Sequence, residues 1–351
     1  MASTLMTSRR QLVVDVAATS RNWALTPEGA ARLRRETPAG WDVVIISAAT
    51  SSDGDGPPTA SDEARGAITD AEAYFGFGFT ADLLGAARDL RWVHSAAAGV
   101  GNVLKSGIAD TDIVLTNSAG IHGPPIGEFV VAGILHFMRG LDVAIAQQQR
   151  AEWSKAFFVA DDSPLREVGN SRVLIVGTGG LGGEAARRLT ALGATCIGIR
   201  RRPELGVPDG FTAVAGMEAL DEELRRADAV VLAAPLTTDT TALMTRARLE
   251  LLPKHAILVN VARGALIDED ALADLLAAGR LRGAVLDVFQ QEPLATLSRL
   301  WQLRSVLVVP HVSPVSPGRF WPRQLDLFLD NWRRYAAGEP LRNVVDKRAG
   351  Y

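Results

Sequence analysis

Three segments of this chain each set a reactive side chain just beyond an apolar run. Asn260-Val261-Ala262-Arg263-Gly264 carries an arginine, Asp287-Val288-Phe289-Gln290-Gln291-Glu292-Pro293 a glutamate, and Pro310-His311 an imidazole. The runs before them, residues 256–260, 284–288 and 306–309, have the near-continuous apolar character of strands covered on both faces. Ligands of open α/β folds bind outside the carboxyl ends of such strands, so the three side chains are expected to converge. Together they suffice for reversible carbonyl reduction. His311 would exchange the proton, because an imidazole titrates near neutral pH. Glu292 would hold the ring and favour its charged form. Arg263 would pair with a substrate carboxylate and polarise the carbonyl oxygen.

Such a reaction needs a hydride carrier, and Gly177-Thr178-Gly179-Gly180-Leu181-Gly182 offers a place for one. A chain with 33 glycines produces G-x-G-x-x-G by chance. Here the motif directly follows the strand-like run 173–176 and opens the helical pattern 184–192, the context that gives it meaning. Gly177 makes the tight turn, Gly179 lets a pyrophosphate approach the backbone, and Gly182 lets helix pack on strand. The helix N-terminus adds free N–H groups and a positive dipole end. About 20 residues on, an acidic residue would bind the adenosine ribose of NAD. Arg200-Arg201-Arg202 stands there instead, and arginines can meet a 2′-phosphate. NADP is therefore the expected cofactor, with NAD possible, and Arg200 and Arg201 are the expected contacts.

The elements that must position these residues show two alternations. In the first third, residues 12–16, 42–46, 74–77, 92–94 and 112–116 read as strands, with helices over 28–35 and 81–87. Turn residues mark 51–61 as a surface loop. A Gly/Pro-rich junction, residues 117–125, feeds what reads as one long helix over 128–147. Six strands then follow, at 173–176, 195–199, 229–233, 256–260, 284–288 and 306–309. That pattern predicts a Rossmann-type doubly wound parallel sheet. Net charge of −3 advertises neither nucleic acid nor an anionic membrane. A single cysteine, Cys196, excludes an intrachain disulfide and a Cys-rich zinc site. No His/Asp/Glu cluster has metal-ligand spacing, so no metal is expected. The longest apolar run, near Phe129 to Phe137, is too short to span a bilayer, and residues 1–11 lack the apolar core of a signal peptide. The expectation is a soluble cytoplasmic protein.

Taken together, these segments resemble the D-2-hydroxyacid dehydrogenase family, which includes glyoxylate/hydroxypyruvate reductases and phosphoglycerate dehydrogenase. The likeness runs from about Ala73 to Asp330 and rests on Ala98-Gly99-Val100, the Gly177 turn, Pro235-Leu236-Thr237, residues 260–268 and 287–293, and Pro310-His311. It implies that Arg263, Glu292 and His311 are the catalytic set and that Ala98-Gly99-Val100 offers backbone amides to the substrate carboxylate. It also implies that Asp287 meets the nicotinamide carboxamide, with Ala234, Pro235, Val261, Ala262, Arg263 and His311 lining the cofactor. The implied substrate is a small 2-oxoacid, glyoxylate- or hydroxypyruvate-like. The implied architecture is a smaller flavodoxin-like α/β domain, residues 1–118 plus 317–351, and a Rossmann domain, residues 119–316. A C-terminal helix near 322–337 should return to the first third, and the helix from Glu128 should form a homodimer interface.

Two departures stand out. Arg200 replaces the family's NAD-selecting aspartate, and Val312-Ser313-Pro314-Val315-Ser316-Pro317 replaces a glycine-rich turn. Formate dehydrogenases, a related alternative, carry glutamine where this chain has Glu292. A nucleotide-sensing co-repressor of the same fold keeps a similar triad and is the alternative from another class. Of the remaining histidines, His136 reads as core and His255 as surface. His94 and His122 are placed where they could reach a substrate.

Overall fold

The computed structural model describes residues 10–18, 23–49 and 59–350. Most of the loop read at 51–61, and residues 1–9, lie outside the described residues. The chain divides into two compact units, Met1–Ile121 with Ser316–Tyr351, and His122–Val315.

The first unit is built on five parallel strands, β1 (Arg10–Asp15), β2 (Trp41–Ile45), β3 (Ala73–Gly76), β4 (Trp92–Ser95) and β5 (Val114–Asn117), in the order β2-β1-β3-β4-β5. This is the flavodoxin-like order. Helices α1 (Pro27–Arg35), α2 (Asp62–Ile68), α3 (Ala81–Ala86) and α4 (Gly101–Leu104) fill the connections. Because side chains alternate along a strand, Leu12, Val14, Phe75 and Trp92 enter one apolar layer while Val13, Tyr74 and Val93 enter the other. Both layers are therefore dry, which explains why these short strands read as apolar runs.

The second unit begins with a correction. The stretch read as one helix is two, α5 (Gly123–Met138) and α6 (Leu141–Gln149), bent by 69° at the break. Gly140 takes a left-handed φ of +69°, and a Cβ there would lie 2.9 Å from Leu165. Apolar periodicity continues across the break because Leu141 and Ile145 keep helical spacing, yet both are about half-exposed. Periodicity marked helix, but not the glycine that redirects it. The helix also starts earlier than read. Pro124 and Pro125 sit in its first turn, where the missing N–H costs nothing.

After the short α7 (Ala156–Val159) comes a seven-stranded parallel sheet. Its elements are β6 (Arg172–Val176), α8 (Gly180–Ala191), β7 (Thr195–Ile199), β8 (Ala213–Ala215), α9 (Leu220–Leu224), β9 (Ala229–Leu232), α10 (Arg246–Leu251), β10 (Ile257–Asn260), α11 (Glu269–Ala277), β11 (Gly283–Leu286) and β12 (Val306–Val308). The order β12-β11-β10-β9-β6-β7-β8 is the doubly wound arrangement with its reversal between β6 and β9. Sequence reading missed β8, an edge strand whose apolar run, Ala213-Val214-Ala215, is only three residues long. Asp268 caps α11 by accepting the Ala271 N–H, so this acid belongs to the helix start.

The chain ends in α12 (Phe320–Ala337), part of the first unit. Leu325, Phe328, Leu329 and Trp332 recur at helical spacing and are all buried. Phe328 stacks on Phe75 with centroids 4.1 Å apart, and on Trp92. Among the described residues no single helix is long and apolar enough to cross a membrane.

Candidate active site

The glycine turn lies at the carboxyl end of β6, beside the sheet's reversal. Gly177 has φ +98°, and a Cβ on it would sit 2.6 Å from the Ala233 carbonyl and the Ala234 nitrogen. A Cβ on Gly182 would meet the Gly177 carbonyl at 1.9 Å, so the helix can start this close to the strand only with glycine there. Gly179, in contrast, faces open space and caps α8 without a side-chain bond. That leaves the Gly180, Leu181 and Gly182 end of a 12-residue helix presenting N–H groups, the arrangement that receives a phosphate. The residues present fit a dinucleotide. Gly177 N–H bonds Ile199 O, so Arg200, the first residue after β7, stands beside the turn. Arg200 is half-buried with its guanidinium 3.4 Å from Gly206 O, while Arg201 is exposed. Ala234, Val261 and Ala262 are buried at strand ends, and Pro235 is exposed just after β9.

Three further strand ends carry the polar set. At the end of β10, buried Asn260 closes the following loop, donating to Arg263 O at 2.9 Å and accepting the Ala262 N–H at 3.1 Å. Arg263 follows in extended conformation, exposed, with its guanidinium 2.7 Å from Ala262 O. The next residue must be glycine, because a Cβ on Gly264 would fall 1.8 Å from the Phe289 carbonyl carbon. The arginine loop is thereby pressed against the segment that carries Glu292.

That segment is held on several sides. Glu292 accepts the Phe289 N–H through Oε1 at 2.9 Å and faces His311 Nδ1 through Oε2 at 2.8 Å. Glu269, the first residue of α11, accepts the Gln290 N–H. Burial raises the Glu269 carboxyl above its usual range; the Gln290 bond opposes this, and the charges of Asp270 and Glu292 add to it. Asp287 is buried. It accepts N–H groups from Val312 at 2.8 Å and Ser313 at 3.0 Å, and the Ser313 hydroxyl as well. Its backbone oxygen takes the His311 N–H at 2.9 Å. So Asp287 latches backbone N–H groups on both sides of the histidine's Cα, its own and those of Val312 and Ser313, a role the sequence did not suggest. His311 itself sits at φ +51°, a left-handed conformation that a bulky residue adopts only when its surroundings impose it. Its side chain is 26% exposed and that of Glu292 37%, so the pair is open to solvent.

In the other unit, the loop Ala98-Gly99-Val100 follows β4 and precedes α4. Ser118 N–H donates to Ala97 O at 3.2 Å, and Asn117 Nδ2 donates to Ala98 O at 2.8 Å. No acceptor among the described residues takes up the N–H groups of Ala98, Gly99 or Val100. His94 does not reach this loop's open side. It is fully buried, with Nδ1 2.7 Å from Thr116 Oγ1 and Nε2 3.2 Å from Ser118 Oγ, and burial pushes its pKa down to about 3. A strand ending in histidine looked available from sequence; the layer of α12 that covers it could not be seen there.

Residues 131–313 match the model of the D-isomer specific 2-hydroxyacid dehydrogenase NAD binding domain. Glycerate dehydrogenase of Methylorubrum extorquens is 32% identical over 270 residues, 76% of this chain and 82% of that protein. A D-isomer specific 2-hydroxyacid dehydrogenase from Xanthobacter autotrophicus, solved with NADPH and MES, superimposes with a TM-score of 0.77 at 28% identity, covering 98% of this chain and 100% of that one. The NADPH-dependent glyoxylate/hydroxypyruvate reductase of Sinorhizobium meliloti, solved with NADP and sulfate, gives 0.75 at 27% identity, covering 97% and 100%.

Proposed function

Because the chain belongs to the D-isomer-specific 2-hydroxyacid dehydrogenase family and is an NAD(P)-dependent oxidoreductase, we propose that it reduces a small 2-oxoacid of the glyoxylate or hydroxypyruvate class to the D-2-hydroxyacid. The observation that carries this reading is the 2.8 Å pair of His311 Nδ1 and Glu292 Oε2, with the Arg263 loop packed on the same turn through Gly264. A nicotinamide dinucleotide held at the Gly177 turn supplies the hydride. The protein's own groups manage the proton and the charge. With Nδ1 engaged by Glu292, the proton passed to the substrate's carbonyl oxygen is carried on Nε2, and the carboxylate stabilises the charged ring that donates it. Arg263 steadies the negative charge that develops on that oxygen and pairs with the substrate. The Ala98, Gly99 and Val100 amides take the substrate carboxylate, as three adjacent N–H groups suit an anion. Asp287 remains the proposed neighbour of the carboxamide, using acceptor capacity beyond its latch to Ser313.

NADPH is the proposed preference, since Arg200 stands beside the glycine turn and no acid is there to repel a 2′-phosphate. A second copy of the chain is proposed to cover α6 and the segment after it, where Leu141 and Ile145 are about half-exposed and Trp153 is 93% exposed. Light scattering should give the mass of two chains, and Trp153→Glu should reduce it to one. The direct test of activity follows the near-ultraviolet absorbance of NADPH and NADH with a panel of 2-oxoacids. Turnover of glyoxylate or hydroxypyruvate, at least about tenfold better with NADPH, is expected. The double substitution Arg200→Asp/Arg201→Ala should erase that ratio. No turnover with any 2-oxoacid would sink the substrate class, and an unchanged cofactor ratio would sink the role of the arginines.

A further inference from the structure

We infer that Asn117 is the positioning residue that aims the Ala98-Gly99-Val100 amides, and that carboxylate selectivity depends on its side-chain amide. The inference rests on the proposal that this loop takes the substrate's carboxylate. Its basis is the geometry of the peptide bond. In a planar trans peptide the C=O and the following N–H point in opposite directions, so fixing one aims the other. Asn117 Nδ2 holds Ala98 O at 2.8 Å, which turns the Gly99 N–H away from β5. The neighbouring peptide is fixed in the same sense by Ser118 N–H on Ala97 O at 3.2 Å, which turns the Ala98 N–H away as well. Without these two bonds the loop's amides would be free to rotate, and an anion receptor would have to be assembled at each binding event.

Asn117 is itself held rigidly enough to do this. It is 7% exposed, and its Oδ1 accepts the Ala119 N–H at 3.1 Å. Its backbone is gripped by the C-terminal tail: its N–H bonds Asn343 O, and its carbonyl accepts Asn343 Nδ2 at 3.2 Å. The same Asn343 amide reaches Ala119 O at 2.9 Å. Each polar atom of Asn117 therefore has a partner, and the only one in the loop is Ala98 O. Asparagine is the side chain that fits, because it must donate to a carbonyl on one side and accept from an N–H on the other. An aspartate keeps the shape and the Ala119 bond but sets an acceptor against Ala98 O.

The test compares a 2-oxoacid with its uncharged 2-oxoamide in the wild type, Asn117→Ala and Asn117→Asp. Asn117→Asp serves where the alanine variant does not fold, since it preserves volume. The expected result is a rise of about ten- to hundredfold in KM for the acid in both variants. Little change is expected in kcat or in the dissociation constant of NADPH, and the acid-over-amide preference should fall by the same factor. A wild type that prefers the acid, with variants that keep both the preference and KM, would overturn the role of Asn117 and leave the loop intact as the carboxylate site. A wild type that treats acid and amide alike would instead overturn the loop reading itself.

Discussion

Two histidines, one in each unit, stand at the carboxyl ends of parallel strands, and the surroundings give them opposite chemistry. His94, the third residue of β4, is enclosed between Thr116 and Ser118. Trp92 donates to Thr116 Oγ1, whose own proton can go to Nδ1; Ser118 donates to Ser95 O and receives Gln324, which leaves it an acceptor toward Nε2. This pattern suits the neutral ring with its proton on Nε2, the uncharged form that burial favours. His311 has a carboxylate at Nδ1, and a quarter of its side chain meets solvent. A charged ring is opposed by burial in the first place, while in the second a carboxylate stands beside the ring. Residue type is the same, and each lies at or just past the carboxyl end of a parallel strand; the acceptor and the access to water decide.

The sharpest way to break the comparison is to remove the reactive member. His311→Gln should lower kcat by about 10²–10⁴-fold, the span expected for loss of a general acid, while NADPH binding stays unchanged. Steady-state kinetics with fluorescence titration of the cofactor reads both. Near wild-type turnover would mean that His311 is no more chemical than His94.

Glu292→Gln sharpens the contrast by making the surroundings of His311 more like those of His94, with a neutral neighbour in place of a charged one. A bond to a charged group contributes about 1.5–3 kcal/mol, so kcat should fall roughly ten- to hundredfold. The loss should fall on kcat and leave the dissociation constant of NADPH unchanged. A kcat that stays at the wild-type value would remove Glu292 as the histidine's partner.

How much of this was legible in the sequence follows from where the information sits. The placing of the Gly177 turn, Arg263, Glu292 and His311 was readable because each follows an apolar run within four residues, and a parallel strand puts its successor at the sheet's functional end. What holds them was not readable. The Asp287 bonds to Val312 and Ser313, and the Glu269 bond to Gln290, join segments about 20 or more residues apart through loops whose path no local pattern fixes. The bend at Gly140 escaped because apolar spacing carries through it. In the first unit the deficit is larger. Asn117 reads as the first residue of the Gly/Pro-rich junction, and only the folded loop shows it beneath Ala98 O.

The smallest effect on activity, and the clearest on stability, is expected from His94→Gln. Glutamine can still accept from Thr116 and donate to Ser118, so turnover at neutral pH should stay within about twofold of wild type. The difference should appear in acid. Burial holds the folded ring's pKa at about 3, against 6.5 for a free ring. Below pH 6.5 the unfolded chain therefore takes up a proton that the folded chain refuses. More protons bound in the unfolded state means that stability falls as pH falls. The loss approaches about 1.4 kcal/mol per pH unit and ends near pH 3, where the folded ring also protonates. Urea unfolding of wild type and variant over this range isolates the term by difference, because every other titrating group is common to both. The wild-type advantage should shrink steadily from pH 6.5 downward. If the two proteins instead lose stability in parallel, His94 is reaching solvent or a charge partner in the folded state, and the division between an inert and a reactive histidine no longer holds.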